Sequence, residues 1–138
     1  SITTGPSHAS YANYKGTSAL SEPESKALAD LANSANWTMT ISYHSMGNLV
    51  YWDFAGNKVA EQSKELAELV TGISGYRTNR SSGKGGFKDY VQIKDSPIPS
   101  LTIEVGSVAC PMPASEFGNV WNSNQSILAA LAAYAADH

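Results

Sequence analysis

The chain has 138 residues, 42% of them hydrophobic and 15% charged, with a formal net charge of −3. That length fits one domain, and the apolar share supports a core rather than a disordered chain. Nine Lys and Arg spread thinly along the sequence give no nucleic-acid footprint, and no apolar run approaches the ~18 residues of a membrane span.

Residues 1–20 are rich in Ser, Gly, Ala, Thr and Tyr, lack periodicity and read as loop. The sequence opens on Ser1 rather than Met, shows no signal-peptide pattern, and is expected to be a piece of a longer chain. In "SEPES", Ser21 and Glu24 form a capping-box pattern, and Pro23 suits a first turn. Ala27, Leu28, Leu31, Ala32 and Ala35 recur at helical spacing, which predicts a helix over 22–35 with that face inward. "WTMTISYHS" (37–45) alternates and is rich in β-branched and aromatic residues, so it reads as a strand. Met46-Gly47-Asn48 breaks it, "LVYWDF" (49–54) is a second strand, and Ala55-Gly56-Asn57 closes the unit.

From Lys58, Val59, Leu66, Leu69, Val70 and Ile73 oppose Glu61, Lys64, Glu65 and Glu68. That pattern is an amphipathic helix ending near Gly72 to Gly75. "YRTNRSSGKGGFKDY" (76–90) reads as a long exposed loop with room for a short extended piece or a helical turn. "PSLTIEVGS" (99–107) is short and nearly all apolar except Glu104, as expected of a strand buried on both faces of a parallel or mixed sheet. "CPMP" breaks the chain. A last helix over 114–136 carries Phe117, Val120, Trp121, Asn124, Leu128, Leu131 and Ala135 on one stripe. Alternating helices and strands predict an α/β layered fold. Cys110 is the one cysteine, so no internal disulfide forms, and it is expected to be a small buried hydrophobe.

Three features can carry chemistry. His44 ends a predicted strand, where side chains of an α/β sheet face the ligand crevice. It is either a metal ligand or a hydrogen-bonded structural histidine. Glu104 sits inside an apolar strand, where a carboxylate is paired or functional. It is either a general base, whose pKa burial raises, or the partner of a core Arg or Lys. The "GKGGFKD" run (83–89) lacks the spacing of a phosphate loop. Its glycines allow close approach to a ligand, and Lys88 can then face a carboxylate; otherwise it is a solvated loop.

The order "SEPES", "SYHSMGNLVYW", "GGFKDY", "TIEVG" resembles the C-terminal half of the M14-type zinc carboxypeptidases. More narrowly it is similar to the bacterial branch acting on cell-wall peptides, the γ-D-glutamyl-diamino acid (meso-diaminopimelate) peptidases. Tyr14-Lys15-Gly16 through Glu24 also resembles the segment after that family's Asn-Arg-Asn region. The resemblance implies that 1–138 is the C-terminal part of a zinc peptidase catalytic domain, with 1–20 as loop and 21–138 as α/β core. It implies an α/β fold, a mixed β-sheet with helices packed on its faces (a partial zinc-carboxypeptidase fold without its N-terminal half), and one catalytic zinc held by two His and one Glu.

Carried over by position, His44 matches the third zinc ligand and Ser45 the cleft residue beside it. Glu104 matches the glutamate that activates a zinc-held water and passes its proton to the leaving amine. Gly85 to Asp89, Gly86 among them, match the loop framing the specificity pocket. Lys88 falls where members read the side chain after the scissile bond, and implies an acidic group such as the distal carboxylate of meso-diaminopimelate. The expected partner is thus a cell-wall stem peptide, and the expected location secreted or cell-wall associated.

The departures shape the expectation. The sequence has no H-x-x-E, the family's source of the first two ligands, and its other histidines, His8 and His138, are not candidates. The carbonyl-polarising arginine and the Asn-Arg pair also belong upstream. Ser81 stands where carboxypeptidase A-like members place a mobile tyrosine, with Tyr76 nearby. An endopeptidase cleft therefore fits as well as an exopeptidase one. The chain alone is expected to bind zinc weakly or not at all, to be inactive, and to self-associate through unpaired edges. The alternatives are a non-catalytic peptidoglycan- or protein-binding module on a degenerate peptidase fold, and an unrelated hydrolase using Ser45, although "HSMG" is not a G-x-S-x-G elbow.

Overall fold

The computed structural model describes His8 and residues 15–54, 57–81, 83 and 85–138. The rest of the predicted N-terminal loop over 1–14, the Ala55-Gly56 part of the predicted turn, and Ser82 and Lys84 of the Gly-rich run lie outside the described residues.

The first helix, α1, spans Pro23–Asn33 with Pro23 at its start and Glu22 as N-cap. The predicted capping box does not form. Ser21 Oγ instead accepts the Thr17 N–H at 3.1 Å and donates to the Glu22 carboxylate at 2.9 Å, so it serves the preceding turn. Ala29 and Ala32 are the buried residues of α1, while Leu28 and Leu31 remain 45% and 53% exposed. The inward face is therefore rotated from the predicted stripe.

Strands β1 (Thr40–Ser45) and β2 (Leu49–Tyr51) are shorter than their apolar runs. Helix α2, Ala60–Ser74, buries Ser63, Leu66, Ala67 and Val70, close to the predicted face. It ends on Gly75, whose left-handed φ of 72° lets its N–H reach the Thr71 carbonyl. A three-residue strand, β3 (Arg77–Asn79), opens the segment read as loop. A seven-residue helix, α3 (Phe87–Ile93), closes it. The sequence reading missed α3 because Lys88 and Asp89 look like solvent charges, yet both are buried. Strand β4 is Ser100–Val105.

The predicted last helix is two helices after a single 3₁₀ turn, α4 (Phe117–Asn124) and α5 (Ile127–Asp137). The polar run Asn124-Gln125-Ser126 breaks it, since such residues offer the backbone competing hydrogen bonds. Asn124 Nδ2 donates to the Tyr76 hydroxyl and to the Val120 carbonyl, both at 2.8 Å. The break puts Ile127 and Leu131 inside and leaves Phe117, Trp121 and Leu128 exposed, against the predicted stripe. Cys110 is exposed rather than buried.

The four strands form one mixed sheet in the order β1-β4-β2-β3. β4 runs parallel to β1 and antiparallel to β2, and β2 runs parallel to β3. Successive side chains alternate between faces. Val50, Leu101 and Ile103 point to one face and pack with Leu66, Ala67, Val70, Ile127 and Leu131 from α2 and α5. A smaller cluster joins Ala32 of α1, Val91 of α3 and Ile98. The other face is polar at its exposed end and carries the candidate site. No helix among the described residues is long and apolar enough to cross a membrane.

Candidate active site

Parallel pairing brings the carboxyl ends of β1 and β4 together, the place where open α/β sheets bind ligands. The register pairs His44 with Glu104 directly. Laterally paired residues share a face, so both side chains project to the same side of the sheet. The turn after β1 is tied to the end of β4. The N–H groups of Gly47 and Asn48 donate to the Gly106 carbonyl at 2.7 and 3.1 Å. Gly106 itself has φ of +75°, and a Cβ there would run into the Met112 side chain. A side chain at this φ would be strained, so glycine suits the anchor that ties the turn after His44 to the end of β4.

A cleft of about 580 Å³ opens over this pair. Thr40, Ser42, His44, Thr102 and Glu104 form its strand floor, and Gly85 to Asp89 form one rim. Leu28, Leu31 and Trp37 form an apolar wall. His44 is exposed, and Glu104 is half-buried. Among the described residues Glu104 takes part in no ion pair. Arg80 donates from Nε and Nη2 to Asp53 Oδ2 at 2.9 and 2.6 Å and lies over the Trp52 ring.

Lys88, expected to face an acidic substrate group, lines the cleft but is only 4% exposed. Its ammonium donates to the Asp53 carbonyl at 2.8 Å, to the Asp89 carboxylate, and to Gln92 Oε1 at 3.4 Å. An ammonium has three N–H donors, and three protein acceptors meet them. Gln92 extends the network, donating to the Trp52 and Ser100 carbonyls and to Ser63 Oγ. The network binds α3 to β4, α2 and the end of β2, and so fixes the rim that carries Gly86. Asp53 and Gln92 were missed from sequence. The cue for Asp53 was a lone acid inside the apolar run "LVYWDF".

Ser45 is not brought into the cleft. It follows His44 on the strand and faces away, with its Oγ 3.7 Å from Cys110 Sγ. His44 therefore does not serve Ser45 as a base. Tyr43, on that same helix-packed face, has its pKa raised by burial and then by neighbouring Tyr76. Phe87 and Gly86 stand at the start of α3, and among the described residues no atom would lie within 4 Å of a side-chain Cβ at Gly86, so the rim is open there.

A catalytic zinc site takes three protein ligands. Among the described residues no group of three or more His, Cys, Asp and Glu could hold a metal ion. His44 offers one imidazole at the cleft, so the described residues do not complete such a site.

The profile of the zinc carboxypeptidase family, Peptidase_M14, matches residues 3–126. The γ-D-glutamyl-L-diamino acid endopeptidase 1 of Lysinibacillus sphaericus is 34% identical over 119 residues, which cover 86% of this chain and 30% of that protein. YqgT, an uncharacterized protein of Bacillus subtilis (strain 168), is 30% identical over 127 residues, 89% of this chain and 33% of its own length. The chain thus spans about a third of the length of the curated relatives it matches. With the His44–Glu104 pair at the carboxyl ends of two parallel strands and a matching profile over most of its length, the chain belongs to the M14 zinc carboxypeptidase family.

Proposed function

We propose that this chain supplies the Glu104 half of the catalytic centre of a peptidase that cleaves γ-D-glutamyl-diamino acid bonds in bacterial cell-wall peptides. The observation that carries this is the direct pairing of His44 with Glu104 at the mouth of the cleft. The likeness to an endopeptidase of that name supports the bond class. Glu104 takes a proton from water as its oxygen adds to the γ-amide carbonyl carbon. It then hands that proton to the departing nitrogen as the C–N bond breaks. The products are the glutamyl γ-carboxyl group and the free amine of the diamino acid.

His44 acts as one ligand of a zinc whose remaining ligands lie outside these 138 residues. Zinc, when bound, supplies a Lewis acid and lowers the pKa of water. Gly86 and Lys88 shape the specificity pocket, Lys88 by holding the rim rather than by contact with substrate. Ser45 stays outside the chemistry. The protein acts where its substrate lies, at the cell wall or secreted.

The test uses a synthetic γ-D-glutamyl-meso-diaminopimelate peptide and chromatographic detection of the released amine. The full natural polypeptide that carries this chain is expected to cleave it, and a zinc chelator to stop it. Residues 1–138 alone are expected not to cleave it. Zinc-dependent cleavage by the 138 residues alone would overturn the division of labour. Tight binding of the peptide without turnover by the full polypeptide would favour a non-catalytic binding module.

A further inference from the structure

Among the described residues the segment from β3 to the start of α3 carries three cations, Arg77, Arg80 and Lys88, and two are neutralised. Arg80 is held by Asp53, and Lys88 by Asp89, both acids buried. Arg77 is the third. It has no carboxylate partner among the described residues, and its side chain makes one long hydrogen bond, Nη2 to the Gly47 carbonyl at 3.4 Å.

The register places Arg77 with care. His44 pairs with Glu104, Glu104 with Leu49, and Leu49 with Arg77. The four residues form one row across the sheet, and paired residues share a face. Arg77 therefore projects from the same face as Glu104, two strands away. At the usual strand spacing its Cα lies about 10 Å from that of Glu104. That span, with the length of the arginine side chain, suits a carboxylate three or four bonds removed from the reacting carbonyl carbon. Arg77 is exposed at the start of β3, so its guanidinium is open to ligand. A guanidinium has five N–H donors in a planar fork matched to a carboxylate, and among the described residues Arg77 uses one of them.

We infer that Arg77 is a specificity-determining residue that holds a substrate carboxylate beside Glu104. The inference rests on the proposed peptidase reading. A γ-glutamyl bond uses the side-chain carboxyl, so the glutamyl α-carboxylate stays outside the scissile amide. The diamino acid carries a carboxylate of its own. Either group presents the same chemistry to Arg77.

The experiment compares Arg77→Gln and Arg77→Lys with the parent sequence in the full natural polypeptide. Three peptides are used: the γ-D-glutamyl-meso-diaminopimelate peptide, the same peptide amidated at the glutamyl α-carboxyl, and the same peptide amidated at the diamino acid. The parent is expected to prefer the free carboxylate at one of these positions by about 10- to 100-fold in kcat/KM, chiefly through KM. Arg77→Gln is expected to erase that preference and to leave cleavage of the amidated peptide unchanged. Arg77→Lys is expected to keep part of it. The amidated position that abolishes the Arg77 effect identifies the carboxylate.

An equal loss on all three peptides, or no loss on any, overturns the inference. Calorimetric binding to the Glu104→Gln polypeptide reads the same contact without turnover. There, Arg77→Gln is expected to weaken binding of the free-carboxylate peptide, and unchanged binding overturns the inference. Binding that depends on Arg77 with no cleavage by the parent counts against the peptidase reading alone.

Discussion

Glu104→Gln in the full natural polypeptide is expected to lower kcat for γ-D-glutamyl-diamino acid cleavage by about 100- to 10,000-fold, the usual contribution of a positioned acid–base group. KM is expected to stay near its parent value, because the amide keeps the shape of the carboxylate and loses only its capacity to carry a proton. The fold is expected to survive. Glu104 is half-buried and enters no ion pair among the described residues, so no buried charge is orphaned by the change. Thermal unfolding measured beside the kinetics separates the two effects. An activity within tenfold of the parent would remove Glu104 from the chemistry, and the pairing with His44 would then be structural.

Asp89→Ala is expected to destabilise the chain by about 3–5 kcal/mol, the cost of leaving a buried charge without its partner. The Lys88 and Asp89 side chains are 5% and 7% exposed, so water does not replace the lost carboxylate. The ammonium would keep only the Asp53 carbonyl and Gln92 Oε1, both neutral acceptors. In urea this loss is expected to move the unfolding midpoint by more than about 1 M. The double change Lys88→Met with Asp89→Leu is expected to recover most of the loss, since removing both charges of a buried pair is often near neutral. An unchanged midpoint for Asp89→Ala would mean that the pair is hydrated in solution and does not hold the rim.

Much of the fold was legible because hydrophobic periodicity reports element type. Leu101, Ile103 and Val105 mark β4, and Leu66 with Val70 mark the core face of α2. The α/β layering followed from one strand with little alternation among helices of 3.6-residue period, while the mixed sheet followed from the family resemblance. Periodicity reports less well which apolar stripe is covered, since apolar side chains are common on surfaces. Leu28, Leu31, Phe117, Trp121 and Leu128 all sit at helical spacing and all are exposed. Helix α3 was hidden for a different reason. Its buried Lys88 and Asp89 neutralise one another, and a pair of opposite charges in sequence looks like solvated loop.

The site was legible in residue type but not in arrangement. His44 and Glu104 stood out locally as a strand-end histidine and a carboxylate in an apolar strand. Their adjacency is a matter of register between strands about sixty residues apart, and no local pattern carries it. The same is true of Arg77. In sequence it belonged to a charged loop, and only the chain of pairings through Leu49 sets it on the row of Glu104. Lys88 shows the converse. Its position in "GGFKD" pointed to substrate, whereas its three donors are met inside the protein.

The most direct test of the central proposal is the zinc content of the full natural polypeptide with His44 and with His44→Ala, measured after dialysis against a competing chelator. The expected result is about one zinc per polypeptide with His44. For His44→Ala, zinc affinity is expected to fall by at least about tenfold, with peptide cleavage falling alongside it. Parent-level zinc and parent-level cleavage in His44→Ala would contradict the assignment of His44 as a zinc ligand beside Glu104.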